Sequence, residues 1–235
     1  MNRAEKNRPA YAELADTLRK QILSGQLSPG DRLPIEPEMS AQHGVSKSTT
    51  REALRVLGSE HLVTTVRGVA GGTFVAEPHP DRLSAAFEAG LSFITMAEGF
   101  SIDQLLEIRE ILEVPAARLA AARHTPEQLD ELRATLEVPR KDQDYTRNRT
   151  FHDVLCHITG NPLLPVVARP VFHVVNERFR REAASKTFWT RVECAHEEIL
   201  DAIAQRDEDR AAKLMYEHLE ELRPTYKRIM SPPGQ

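Results

Sequence analysis

Residues 35–58 read IEPEMSAQHGVSKSTTREALRVLG, and this stretch decides the fold of the N-terminal region. Pro37 stands near the first position of a short helix, where its missing N–H costs little, and Gly44 ends that helix. Ser46 then provides an N-cap for a second helix that runs to about Gly58. The residues that face inward on this second helix are Thr50, Ala53, Leu54 and Leu57. A short helix, a three-residue turn centred near Gly44 and a second, amphipathic helix predict a helix-turn-helix.

The segments on either side of this pattern predict a winged domain. The four-residue spacing of apolar side chains over residues 10–24 predicts a preceding helix. Strands are predicted over residues 62–66 and 73–75, because β-branched residues are frequent in both. Residues 67–72 lie between them as a glycine-rich hairpin tip that carries one cation, Arg67. A helix-turn-helix followed by such a hairpin is the winged form of this motif.

The outward face of the second helix carries short polar groups and cations, namely Lys47, Ser48, Thr49, Arg51 and Arg55. A helix of this size fits the major groove of DNA. We expect Lys47, Arg51 and Arg67 to contact phosphates, where they release counterions. Ser48 and Thr49 are then close enough to approach base edges. The alternative is a protein–protein module whose Lys/Arg face is solvated.

Composition restricts the classes of function open to this chain of 235 residues. The net charge is −4, with ten Lys and Arg against nine Asp and Glu in residues 1–80, so DNA binding must rest on local placement. The sequence contains no run of 18 apolar residues, so no membrane span is predicted, and the charged residues 1–6 do not resemble a signal peptide. Cys156 and Cys194 predict a reduced, cytoplasmic protein.

Four motifs carry a family resemblance: GDRLP at 30–34, HGVS at 43–46, REALRVL at 51–57 and GGTFV at 71–75. They resemble the DNA-binding domain of GntR-family bacterial transcription regulators over residues 10–76. The resemblance implies that operator DNA is contacted by Lys47, Ser48, Thr49, Arg51, Arg67 and Gly68. Pro37 departs from the family pattern by replacing an arginine that often contacts DNA. His61 replaces a glycine before the wing, so we expect a strained, positive φ there.

Two prolines in residues 76–80 indicate a domain boundary. We therefore divide the chain into a winged domain at 1–76, a linker at 77–83, a helical domain at 84–230 and a disordered tail at 231–235. The helical domain is predicted as an all-α bundle of six or seven helices, so the fold class is mainly α. Pro115 is expected to bend one helix, Thr125 to begin a capping box with Gln128, and Asp207 to cap the last helix.

Polar residues interrupt the buried stripes of three of these helices. Asn148 and His152 are four residues apart and share a helix face, while His196 and His218 lie on the stripes of the last two helices. Three imidazoles and one amide oxygen can converge on a divalent cation and leave positions open for water or an anionic ligand. Each histidine can equally be a satisfied core residue, because spacing does not show convergence.

Further motifs carry a second resemblance: LEIREILE at 106–113, FHDVL at 151–155, TGNP at 159–162, HEEI at 196–199 and HL at 218–219. They resemble the effector-binding FCD domain of the FadR-type branch of the GntR family over residues 84–226. The resemblance implies metal ligation by Asn148, His152, His196 and His218, with Asn148 where aspartate is commoner. It also implies that Arg109 holds an effector carboxylate; the alternative is a structural salt bridge with Glu113.

Three other hypotheses stay open. A metal-dependent hydrolase or lyase acting on small acids, with a dimerising N-terminal domain, would need Glu197 or Glu198 as its general base. A mixed zinc site would use Cys156 or Cys194 together with histidine. A binding module without metal would need neither a general base nor metal ligands.

The sequence thus predicts a transcription regulator rather than an enzyme. It is predicted to act as a repressor and as a homodimer on a palindromic operator in the bacterial cytoplasm. A small carboxylic acid, bound near a divalent metal ion, would control its affinity for DNA. Zinc is the predicted metal, with nickel and manganese as alternatives.

Overall fold

The computed structural model of the protein describes residues 8–68, 71–97, 100–137, 146–178 and 184–230, with the backbone alone at positions 97, 146–149, 175–178 and 230. The chain divides into two compact units, a winged unit (Met1–His79) and a helical unit (Pro80–Gln235). The described residues form ten helices and one two-stranded hairpin, so the predicted, mainly α fold class is confirmed. No helix in these ranges has the length and apolar character needed to cross a membrane.

The winged unit contains three helices followed by a hairpin, as predicted. Its elements are α1 (Ala10–Leu23), α2 (Glu36–His43), α3 (Lys47–Ser59), β1 (Val63–Val66) and β2 (Gly72–Val75). The two strands are antiparallel, with Val63 opposite Val75 and Val66 opposite Gly72. The inward residues of α3 are buried at the four predicted positions, Thr50, Ala53, Leu54 and Leu57. Burial of this stripe against α1 fixes which face of α3 remains outside.

The turn between α2 and α3 is encoded locally. Gly44 ends α2 in the left-handed conformation with φ 65°, which glycine adopts without a steric penalty. The side chain of Ser46 then accepts a hydrogen bond from the backbone N–H of Thr49 and caps α3. Glu36 is the first residue of α2, so Pro37 takes the second position, where no intrahelical donor is needed.

His61 adopts the positive φ expected from its place before the wing, with φ 58°. A side chain in this region costs about 1–2 kcal/mol, and glycine avoids that cost. We therefore expect His61→Gly to raise the free energy of unfolding by about 1 kcal/mol in urea denaturation. Gly44→Ala is the opposite control and should lower the free energy of unfolding, since alanine is strained at φ 65°. A loss of stability in His61→Gly would contradict this account.

The helical unit contains seven helices in its described residues, within the predicted six or seven. They are α4 (Pro80–Ala97), α5 (Ile102–Arg123), α6 (Pro126–Glu137), α7 (Thr146–Ile158), α8 (Leu163–Arg178), α9 (Lys186–Ala204) and α10 (Glu208–Met230). Helix α4 begins at Pro80, so its first turn occupies residues 80–83, which the sequence analysis placed in the linker. Proline is well tolerated in the first turn of a helix, which explains this difference. The tail at 231–235 lies outside the described residues.

Side-chain caps and apolar packing set the bounds of the later helices. Thr125 and Gln128 form the predicted capping box, and the Asp207 carboxylate accepts a hydrogen bond from the N–H of Arg210. Helix α5 continues through Pro115, where a bend is predicted. Four of the alanines that follow are fully buried in the core of the helical unit, and this packing offsets the hydrogen bond that Pro115 cannot donate; they are Ala116, Ala117, Ala120 and Ala121.

Candidate DNA-binding surface and metal centre

The first turn of α3 carries the polar face that was predicted to meet DNA. Lys47, Ser48 and Arg51 are exposed, whereas Thr49 is half-buried. The hydroxyl of Ser46 lies 2.7 Å from that of Ser48 and 2.8 Å from that of Thr49. These hydroxyls and two cations surround a helix N-terminus, where backbone N–H groups and the helix dipole favour phosphate. The arrangement suits contact with a DNA backbone.

Arg51 has a carboxylate partner in the free protein. Its Nη2 lies 3.2 Å from Oε2 of Glu36, while 62% of its side chain stays exposed. Exposed ion pairs contribute at most about 1 kcal/mol. A phosphate can therefore replace Glu36 at Arg51 with little loss.

The base of the wing is held by Arg32, a residue of the GDRLP motif for which the sequence predicted no role. Its Nη2 donates to the carbonyl oxygen of Gly71 over 2.6 Å, and its guanidinium lies 5.9 Å from the ring centre of Phe74. A Cβ on Gly72 would lie 2.8 Å from Nε of Arg32, so a larger residue at position 72 would displace the arginine side chain. Arg67 and Gly68 lie on the hairpin that Arg32 anchors, and Arg67 is exposed.

Three helices of the helical unit bring together a histidine cluster, His152 from α7, His196 from α9 and His218 from α10. One ring nitrogen from each lies within 4.8 Å of those of the other two, and all three side chains are buried. Nε2 of His196 lies 3.3 Å from Nε2 of His218. The structure thus shows the convergence that residue spacing left open.

The donor set of this cluster fits a metal ion. Two Zn–N bonds of about 2.05 Å at the tetrahedral angle place their nitrogens about 3.3 Å apart, which matches the distance between His196 and His218. Phe151 stacks on His196 with ring centres 4.2 Å apart and fixes that ring. Burial, with the neighbouring His152 ring and the charge of Arg109, lowers the pKa of His218 well below its usual value. A neutral imidazole of this kind keeps the lone pair that a metal requires.

The predicted fourth ligand is not located. Asn148 lies on α7 one helical turn before His152, but its side chain is outside the described part of the structure. Its role therefore stays a prediction.

Arg109 and Glu113 form a buried ion pair beside the cluster. Nε of Arg109 lies 2.5 Å from Oε1 of Glu113, and Nη2 lies 3.1 Å from Oε2. Burial opposes ionisation of Glu113, but the charge of Arg109 and the contact with the His152 ring outweigh it and lower its pKa to about 2. The salt bridge considered as the alternative for Arg109 is therefore present. Its ionised carboxylate also reaches His152, a contact that helix spacing alone does not predict, with Oε2 2.6 Å from Nδ1.

The remaining sequence candidates do not join this cluster in the described residues. His157 is exposed, with Nε2 2.9 Å from Nη2 of Arg169. Cys156 is buried, and its burial raises the pKa of the thiol far above its usual value, which makes it a poor ligand and nucleophile. Glu197, Glu198 and Cys194 are exposed, away from the buried imidazoles.

The fold is that of a winged helix-turn-helix DNA-binding regulator with a separate all-helical domain. Residues 10–75 match the model of bacterial regulatory proteins of the gntR family, and residues 104–221 match the FCD domain. The chain belongs to the GntR family and carries an FCD domain, as its motifs predicted.

Known proteins resemble the chain over most of its length. It is 31% identical to the uncharacterized HTH-type transcriptional regulator YieP of Escherichia coli K12, covering 85% of this chain and 88% of YieP. It is 28% identical to the HTH-type transcriptional repressor NanR of Citrobacter rodentium, covering 96% and 90% respectively. A Streptococcus agalactiae GntR structure shares the fold with a TM-score of 0.56 and 24% identity, covering 92% of this chain and 99% of that one. Membership of a family of transcription regulators decides against the hydrolase or lyase hypothesis.

Proposed function

We propose that this protein is a repressor whose affinity for operator DNA is controlled by a small carboxylic acid bound beside a divalent metal ion. The observation that carries the proposal is the histidine cluster, three buried imidazoles whose nitrogens lie within 4.8 Å of one another. A buried arginine stands next to them, with Nη2 of Arg109 3.4 Å from Nε2 of His152. Metal ligands next to a cation suit an anionic ligand.

His152, His196 and His218 are the proposed metal ligands, with Asn148 as the fourth. Three imidazole nitrogens suit zinc, with nickel as an alternative, whereas manganese would depend more on the oxygen of Asn148. The bound metal would supply a Lewis-acid position for one carboxylate oxygen of the effector. With the three histidines alone, a tetrahedral zinc ion would keep one position for that oxygen, and with Asn148 as a fourth ligand the ion would have to become five-coordinate to accept it.

Arg109 is the proposed second contact of the effector. Glu113 already engages Nε and Nη2, so the effector carboxylate would approach the guanidinium from the side of His152. We expect Arg109→Lys to weaken effector binding about tenfold or more, because lysine keeps the charge but loses the planar fork. Affinity for DNA without effector should not change. Titration of DNA with protein measures the affinity for DNA without effector, and titration of the DNA-bound protein with citrate measures effector binding. Equal citrate midpoints in Arg109→Lys and wild type would contradict the contact.

On DNA, the proposed contacts are those of Lys47, Ser48, Thr49, Arg51, Arg67 and Gly68. Two copies of the chain would present two α3 helices to a palindromic site, because symmetric half-sites require a symmetric protein. Operator DNA lies in the bacterial cytoplasm, and we place the protein there. The acid would bind the DNA-binding form and the released form of the protein with different affinities, and it would thereby shift the population between these two forms.

The test is fluorescence anisotropy with DNA from upstream of the coding sequence, using metal-free and zinc-loaded protein. We expect tight binding that L-lactate, succinate or citrate reverses only when zinc is present. Reversal that is equal with and without zinc would contradict the metal-dependent part of the proposal. Absence of binding to that DNA and to random genomic fragments would contradict the regulator as a whole.

A further inference from the structure

The two ring nitrogens of His152 face partners of opposite kind. Nδ1 lies 2.6 Å from Oε2 of Glu113, although off the direction of a good hydrogen bond. Nε2 lies 3.4 Å from Nη2 of Arg109. A guanidinium offers donors only, so Nε2 must be the nitrogen with the lone pair, and Nδ1 then carries the hydrogen that faces the carboxylate.

We propose that Glu113 is a positioning residue of the metal centre, which holds His152 in the tautomer that leaves Nε2 available to the ion. The inference rests on the metal-binding function proposed above. A metal-ligating histidine commonly directs its other N–H to a carboxylate, which fixes the ring and raises its basicity. A small rotation of the His152 ring would align its Nδ1–H with the carboxylate, which is already within reach.

The charge of Glu113 serves the same site. Arg109 is 2% exposed and Glu113 is fully buried, so water does not screen either charge effectively. Without the carboxylate, the guanidinium would stand next to the imidazoles as an uncompensated cation and would oppose a divalent ion. Glu113 therefore assists metal binding both by orienting His152 and by neutralising Arg109.

Removing Glu113 alone would leave Arg109 buried and unpaired, which is strongly destabilising. The test therefore uses two double variants that lack the ion pair, Arg109→Met/Glu113→Leu and Arg109→Met/Glu113→Gln. Both have the same charge, but only glutamine offers an oxygen to Nδ1–H. Zinc affinity is measured with the metal alone, in competition with a chromophoric chelator.

We expect the leucine variant to bind zinc about 10–100-fold more weakly than wild type, and the glutamine variant to recover most of the loss. Glu107→Gln, an exposed change on α5, is the matched control and should leave the affinity unchanged. Equal affinity in the two double variants would overturn the positioning role, whether both bind as wild type or both bind weakly.

A second readout does not depend on metal. Nitrogen-15 NMR of the metal-free protein should show His152 as the Nδ1–H tautomer in wild type and in the glutamine variant, and a mixture in the leucine variant. A wild-type Nε2–H tautomer would overturn the proposal. Failure of wild type to bind zinc would instead contradict the proposed metal function, so the two failures are distinguishable.

Discussion

Replacing His152 and His218 together by alanine is expected to remove zinc from the protein and to abolish its response to carboxylic acids. The two changes leave His196 as the last imidazole of the cluster. Protein zinc sites bind with about 10–16 kcal/mol in total. Losing two of three imidazoles should therefore weaken zinc binding by more than about 1000-fold. Metal content per chain after dialysis measures the loss directly.

Thermal unfolding gives an independent measurement of the same change. A ligand at 100 times its Kd stabilises the folded state by about 2.7 kcal/mol, so zinc should raise the Tm of wild type but not of the double variant. The control is His79→Ala/His157→Ala, which removes two exposed histidines outside the cluster. Unchanged metal content and Tm response in His152→Ala/His218→Ala would favour the module without metal.

The winged unit was predictable from sequence because its decisive signals are local. Gly44 ends α2, Ser46 caps α3, and the buried stripe of α3 follows from helical spacing within a few turns. His61 shows the same point, since its positive φ was expected from its position in the motif. The first turn of α4 was misplaced because a proline such as Pro80 is compatible with both a linker and a helix start.

The histidine cluster was only partly predictable, because it depends on packing between distant segments. His152 and His196 lie on different helices, and spacing places each on a buried face without showing that these faces meet. Glu113 illustrates how far residue spacing along a helix can predict side-chain contacts. Its distance of four residues from Arg109 made the ion pair an alternative to the predicted effector contact, whereas its contact with His152 depends on the packing of α5 against α7.

The triple change Lys47→Ala/Arg51→Ala/Arg67→Ala is expected to weaken DNA binding by more than 100-fold at low salt. Hydrogen bonds to charged groups contribute about 1.5–3 kcal/mol each, and three are lost. Each phosphate contact also adds about 0.9 to the slope of log affinity against log salt, so the slope should fall by about 2.7 per chain, which is about 5.4 for the proposed dimer. Anisotropy titrations at several salt concentrations, on the upstream DNA and on random genomic fragments, measure both quantities.

The slope separates a docked surface from a general charge effect. Arg118→Ala/Arg133→Ala/Lys213→Ala removes three cations that are exposed on the helical unit, so it changes the net charge equally. If α3 and the wing contact the DNA backbone, this control keeps the wild-type slope, since its three cations are not among the proposed phosphate contacts. Equal losses of DNA affinity in both triple variants would mean that net charge governs binding. An unchanged slope in Lys47→Ala/Arg51→Ala/Arg67→Ala would mean that α3 and the wing do not contact the DNA backbone. Because phosphate contacts are independent of sequence, the first variant should lose affinity to a similar extent on both kinds of DNA.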